Sequence, residues 1–424
     1  LVPVYPAWEY KMNSEVVEQC EGHQSLIGLV TLMRMTISGA DMGSLGVQLI
    51  ARAGTDPRTA DANALMDLST ILQLRGDREL GLTIQRQALA IQQVYSPPCG
   101  LADRRRAAVR LLAIMGEGDL MSNSPIEFLL EEADVSLDIV YVTNELDLPE
   151  ILPEHDVLFV AIAESEQNIP LLNKIHMVIE SWPRPVINSP SRIAALSRDN
   201  CYAQLRSVPG LEVPATVRVS RKSLEEIAQG ELPMASVLDD GDFPVIVRPV
   251  DSHAGQGLEK INDADEIAGY LSGMGNDEFY VSRFVDYRGT DGLFRKYRIM
   301  LIKGRPFICH MGISEHWMIH YANAGMADSE KKRDEEARFM SDFDVSFAVK
   351  HAGAFKEIQE RLGLDYLGID CAETQDGCLL IFEVDSCMIV HALDPVDVYP
   401  YKQPQMRRLF EAFCQMLLSA MQQA

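Results

Sequence analysis

The sequence predicts an α/β protein with an all-helical N-terminal region, a small parallel-sheet domain and a larger C-terminal α/β body. Three observations predict it. Apolar residues recur at helical spacing up to about residue 96. Short apolar runs then alternate with helical stretches, which indicates a parallel sheet. Beyond about Arg192 the pattern changes again, and Asp376-Gly377 marks a two-residue hairpin turn. The expected domains are therefore 1–102, 103–191 and 192–424.

A length of 424 residues suits about three domains, and 47% hydrophobic with 24% charged residues suits a globular protein with a real core. The net charge of -24 repels nucleic-acid phosphates and anionic lipid, so neither nucleic acid nor membrane is an expected partner. The 8 cysteines are scattered without a CxxC pair, which reads as reduced thiols in a cytoplasmic protein. No apolar run reaches the ~18 residues of a membrane span. Leu26–Met33 comes nearest and stops at Arg34. The N-terminus lacks the charged start and apolar core of a signal peptide.

In the helical region Ser14 is the first candidate cap. Ala64 to Pro97 reads as two helical runs around Arg75-Gly76-Asp77, with Leu65, Leu68 and Leu72, then Ile84, Ala88 and Ile91, facing a core. This stretch resembles one tetratricopeptide unit, although the expected Trp and Tyr positions are missing. An ordinary helical hairpin is the alternative. Either way the region suits packing or a protein partner rather than chemistry.

In the second domain strands are expected at Val109–Met115, Leu137–Val142, Asp156–Ala163 and Pro185–Ile187, with helices near Pro125–Glu132 and Asn168–Ser181. Met115-Gly116-Glu117-Gly118 lacks the full dinucleotide fingerprint, so no nicotinamide site is read there.

In the C-terminal body helices are expected at Ile193–Leu205, Ser223–Gln229, Asp263–Leu271, Ala348–Leu362 and Met406–Met421. Strands are expected at Phe243–Val250, Phe279–Val285, Tyr297–Ile302, Tyr366–Cys371 and Leu379–Asp385. Trp317-Met318-Ile319 also reads as strand, and the charged stretch Asp328–Met340 as an exposed helix or a mobile segment.

Three constellations carry chemistry. If Asp376-Gly377 is the turn, Gln375 faces Cys378 and Asp370 faces Glu383. Glu383 and Asp385, two apart, then share the face of Asp370, while Leu380, Phe382 and Val384 take the other. Three converging carboxylates repel, and a hard dication with oxygen ligands would offset them. A solvated acidic face is the bland alternative. Second, Arg248 precedes Pro249 at a strand end and leads into Asp251–Gly257, where Gly255 and Gly257 let backbone approach a phosphate and His253 stands between. Third, the strand Tyr280–Val285 breaks at Asp286 and Gly289 like a hinge whose backbone could read a base edge.

The order of these elements resembles the ATP-grasp superfamily over roughly 103–424. The resemblance implies ATP and magnesium. Arg248 takes the place of the usual lysine, with His253, Gly255 and Gly257 as the phosphate flap. Arg283, Phe284 and Val285 form the adenine hinge, with Arg283 where a glutamate is usual, and Asp286 serves the ribose. Arg298 stabilises the transferred phosphate. Asp370, Glu383 and Asp385 hold the metal, with Asp385 where an asparagine is usual. The implied activity is a carboxylate–amine ligase that forms an acyl phosphate and joins it to an amine, on small-molecule or peptide substrates. An ATP-grasp kinase and a non-catalytic nucleotide-binding module with a helical partner-binding region are the alternatives. His310–Gly325 faces substrate in this reading. His316 and His320 have helical metal spacing without a third ligand, which disfavours zinc.

Overall fold

A computed structural model describes residues 25–54, 60–98, 104, 106–239, 241–252 and 255–423. Ser14, the junction at 101–103 and His253 lie outside the described residues. The chain packs as two compact units: Leu1–Ala163 with Gln167–Ile193 and Ser386–Ala424, and Glu164–Glu166 with Ala194–Asp385. These units do not coincide with the three segments read from the sequence. The helical region and the small parallel sheet share one unit, and the closing helix belongs to it as well.

In the first unit, helices cover Leu29–Ile37, Met42–Ala53, Ala62–Leu74 and Arg78–Ile91. Asp41 and Asp61 cap the second and third by accepting from backbone N–H groups of the first turn. The last two form a hairpin about Arg75–Asp77, and Gly81 lets them approach, since a Cβ there would lie 2.6 Å from Gln73 Cγ. Such a hairpin is common to a tetratricopeptide unit and an ordinary bundle.

The chain passes straight from these helices into the sheet. Strand β1 (Val94–Tyr95) pairs antiparallel with β3 (Val135–Val142), which pairs in parallel with β2 (Val109–Gly116). Strands β4 (Val157–Val160) and β5 (Val186–Ile187) complete the order β1-β3-β2-β4-β5. Strands β2 and β4 are buried almost throughout, as expected of parallel strands covered on both faces. Part of that cover is the closing helix Lys402–Gln422, whose Phe413 ring meets Phe159 of β4 at 5.8 Å between centroids.

The second unit has two sheets. Strands β7 (Thr216–Ser220), β8 (Val245–Pro249), β9 (Glu259–Ile261) and β10 (Glu278–Arg283) form an antiparallel sheet ordered β7-β10-β8-β9. Strands β6 (Leu211–Glu212), β11 (Phe294–Ile302), β12 (Arg305–Ser314), β13 (Tyr366–Glu373) and β14 (Leu379–Asp385) form the other, ordered β12-β11-β13-β14-β6.

Two elements depart from expectation. The helix expected at Ile193–Leu205 is two pieces, Pro190–Ile193 and Arg198–Leu205. Trp317–Ile319 is not a strand, because β12 already supplies the partner of β11 and its pairing ends at Ser314. The charged segment takes the helical of its two expected forms, Glu330–Asp342, and is held down by Glu336. That buried carboxylate accepts from Met311 N–H at 2.9 Å and from Tyr321 Oη at 2.8 Å. Among the described residues no helix is long and apolar enough to cross a membrane.

Phe413 is fully buried on a helix far in sequence from the sheet it covers. Phe413→Ala is expected to destabilise the first unit by about 3–5 kcal/mol through lost contact and a cavity. Chemical denaturation followed by circular dichroism measures it.

Candidate functional site

The candidate site is built on the five-stranded sheet of the second unit. Lys296 and Arg298 lie two apart on β11 and so share a face. Arg298 stands opposite Asp370 on β13. Asp370 is only 1% exposed. Arg298 Nε donates to its Oδ1 at 2.8 Å, Arg298 Nη2 donates to its Oδ2 at 3.0 Å, and Lys296 Nζ lies 2.7 Å from Oδ2. Burial pushes the Asp370 carboxyl up, but the charges of Arg298 and Lys296 outweigh it and hold the group well below the usual carboxylate range.

The hairpin reaches the expected pairing by an unexpected route. Its loop has three residues, Gln375-Asp376-Gly377, closed by Thr374 N–H donating to Cys378 O at 3.0 Å. Gly377 takes the left-handed conformation, φ 84°, that such a loop needs. Pairing therefore starts one residue out of the anticipated register, with Glu373 opposite Leu379. Between Cys371 and Asp370 the ladder passes over Phe382, and this bulge restores the register. Asp370 then faces Glu383, and Gly368 faces Asp385. The shift corrects the expected sidedness. Leu380 lies opposite Ala372, on the acidic face, and Ile381 and Val384 take the other. Phe382 packs on Tyr287 at 4.9 Å.

Glu383 pairs with Arg198, whose Nη1 also donates to Phe382 O at 3.0 Å. Burial raises the Glu383 carboxyl, while Arg198 and Arg248 pull it below its ordinary value. The repulsion foreseen among the acids is thus offset, for Asp370 and Glu383, by basic side chains. Among the described residues no group of three His, Cys, Asp or Glu could hold a metal ion. With both Asp370 oxygens engaged, this arrangement does not fit a magnesium ion on Asp370, Glu383 and Asp385.

Arg248 ends β8, buried, with Nε donating to Ser252 Oγ at 3.0 Å. Burial and the field of Arg198 pull its guanidinium down to about 9, so it remains charged at neutral pH. It makes no ion pair among the described residues. The flap glycines are close-packed. A Cβ on Gly255, φ 71°, would lie 2.5 Å from His320 Nε2, and one on Gly257, φ 64°, would lie 2.9 Å from Pro249 Cδ.

The hinge residues are partly committed. Arg283 N–H donates to Ala215 O at 2.9 Å and Phe284 N–H donates to Pro244 O at 3.2 Å. The Arg283 side chain pairs with Glu212, and Lys260 Nζ sits 4.0 Å over the Phe284 ring. Asp286 accepts from Arg288 and is held below the usual carboxylate range by it.

Four further residues enter the site. Lys296 was readable, since it shares a strand face with Arg298 two residues on. Arg198 carried no local signal, because only tertiary packing brings its helix to Glu383. His320 lay in the segment read as substrate-facing. Burial and Lys296 lower its imidazole. Glu164 left no trace in the sequence. Burial, then Asp251, Glu166 and Asp385, push its carboxyl up to about 7.

No family model matches this sequence, and no curated protein matches it. Solved structures similar to it include a D-alanine–D-alanine ligase from Bacillus anthracis complexed with ATP, at 15% identity and a TM-score of 0.42, covering 72% of this chain and 99% of that one. A D-alanyl-alanine synthetase A from Vibrio cholerae matches at 13% identity and a TM-score of 0.46, covering 75% and 100%. A RimK domain ATP-grasp protein from Sphaerobacter thermophilus matches at 14% and 0.42, covering 73% and 99%. At such values the likeness decides neither reaction nor substrate.

Asp370→Asn leaves two cations facing a neutral amide and is expected to cost about 3–5 kcal/mol at neutral pH. The parent holds this contribution in full above about pH 5 and loses it as the solution becomes more acidic, so the two melting curves converge at low pH. Glu164 works in the opposite sense. Its raised folded-state value makes stability fall as pH rises toward and through about 7. Glu164→Gln should therefore melt above the parent at pH 8 and with it at pH 4, measured by thermal unfolding across that range.

Proposed function

We propose that this chain is an ATP-dependent ligase that activates a carboxylate by phosphorylation and joins it to an amine. The observation that carries the reading is Arg248. A buried guanidinium that makes no ion pair among the described residues, at a strand end before a glycine-bearing loop and in the field of Arg198, fits an anionic ligand of high charge. Lys296 and Arg298, on one face of their strand, supply a second cationic pair over Asp370.

In this reading Arg248 and Arg198 hold the inner phosphates of ATP. Arg298 and Lys296 meet the terminal one, where negative charge shifts as it transfers. The acceptor carboxylate attacks the terminal phosphorus, the bond to ADP breaks, and an acyl phosphate forms. The amine then attacks the acyl carbon and phosphate leaves. Glu164, near half-protonation at neutral pH, takes the proton that the amine gives up. With the N–H groups of Arg283 and Phe284 engaged, the backbone of Val285 is the hinge group that reads adenine. Asp286, held by Arg288, is free to reach the ribose only by exchanging that partner. Asp370 and Glu383 are already met by basic side chains, so in this reading the phosphates are held by cationic residues.

The test is phosphate release by the full chain with ATP, amino-acid carboxylates and amines. Release that needs both carboxylate and amine supports the ligase. A stable phosphorylated product without amine makes it a kinase, and binding without turnover makes it a nucleotide-binding module. Arg248→Ala is expected to weaken ATP binding by ~1.5–3 kcal/mol in calorimetry. Arg298→Ala is expected to lower turnover more than affinity, since its charge counts most during transfer. Unchanged ATP affinity in the Arg248 variant removes the observation on which the proposal stands.

A further inference from the structure

The first unit contains a cavity of about 70 Å³ whose lining includes Asp67, Gln73, Tyr95 and Glu127. None of these belongs to the site in the second unit. Asp67 is 1% exposed, and its two oxygens accept from Ile27 N–H at 2.8 Å and Gly28 N–H at 3.1 Å. Glu127 Oε1 accepts from Leu29 N–H at 3.1 Å, and among the described residues its Oε2 has no hydrogen-bond donor. These bonds satisfy the backbone ahead of the helix Leu29–Ile37, yet they bring no positive side chain to either acid. Arg52 lowers the Asp67 carboxyl from a distance and is itself paired with Asp61.

Two other groups point to a missing partner. Tyr95 Oη and Gln73 Oε1 are both buried without a hydrogen-bond partner among the described residues. Tyr95 is 1% and Gln73 6% exposed. The Gln73 amide nitrogen donates to Ser69 Oγ at 3.2 Å, while its oxygen has no donor among the described residues. A buried polar atom left unpaired is costly, and two in one cavity call for an occupant. Gln73 Oε1 and the ionised Glu127 Oε2 only accept, and the Tyr95 hydroxyl can accept as well as donate. Two carboxylates in one cavity repel an anion, and water alone leaves their charge unanswered.

We infer that this cavity binds ammonium or a small primary ammonium group, whose N–H donors meet Asp67, Glu127, Tyr95 and Gln73. The volume admits an ion of that size and excludes a bulky quaternary amine. Burial, opposed by the backbone donors, places both carboxyls at about 7, with Asp67 adding to the rise at Glu127. The ionised, cation-binding form therefore predominates in mildly alkaline solution.

The experiment is thermal unfolding of the full chain at pH 8 in ammonium, methylammonium, potassium, sodium or tetramethylammonium chloride at equal ionic strength. Ammonium and methylammonium are expected to raise Tm saturably by roughly 2–4 °C over sodium, as a ligand binding only the native state does. Tetramethylammonium should match sodium, and potassium should fall short of ammonium because it donates no hydrogen bonds. Glu127→Gln keeps an acceptor for Leu29 N–H, so it should fold, and it should lose the ammonium-specific shift. Tyr95→Phe removes one acceptor and should raise the concentration needed for half the shift. Equal shifts in all salts, an equal shift with potassium, or a full ammonium shift in a folded Glu127→Gln protein would each overturn the inference.

Discussion

A carboxylate taken out of water must be met by charge or give up its own, and Asp370 is met twice. Arg298 grips both its oxygens and Lys296 reaches the second. That contact holds only if β11 and β13 pair in one register, because a slip by one residue would turn Asp370 to the other face of the sheet. The same register sets Glu383 opposite Asp370, and Glu383 in turn draws Arg198 from a helix distant in sequence. The cationic surroundings of Arg248 follow, since Arg198 acts on it. A single buried ion cluster thus ties strand order, helix position and the electrostatics of the candidate site together.

Much of this was legible in the sequence because it is local. Period-2 spacing placed Glu383 with Asp385, while Asp370 comes opposite Glu383 only because the bulge at Phe382 offsets a loop one residue longer than the turn chemistry suggests. The strand ending at Arg248 and the hairpin about Arg75–Asp77 were read from proline and glycine punctuation. What was not legible depends on tertiary packing. Nothing near Arg198 or Glu164 in sequence says that either reaches the acids. The cations that answer Asp370 were both in view at positions 296 and 298, yet an acidic cluster reads equally as a site for a dication until those side chains are placed. The division into units was missed for a related reason. The helix Lys402–Gln422 covers a sheet some 240 residues earlier, and amphipathic spacing names no partner.

The two units treat buried acids in contrasting ways. In the second, Asp370 is neutralised by side-chain cations and titrates far into acid. In the first, Asp67 and Glu127 are held by backbone N–H groups alone, which do not outweigh burial. The first arrangement fixes charge permanently. The second leaves it responsive to what shares the cavity.

The hairpin between β13 and β14 carries an extra residue in its loop and another at Phe382. Removing Phe382 would leave Ile381 opposite Cys371 and Glu383 opposite Asp370, so the acids would keep their side and the strand would lose only its bend. Shortening the loop to two residues would likewise leave Thr374 opposite Cys378. The hairpin can therefore change length at two places without moving its charges.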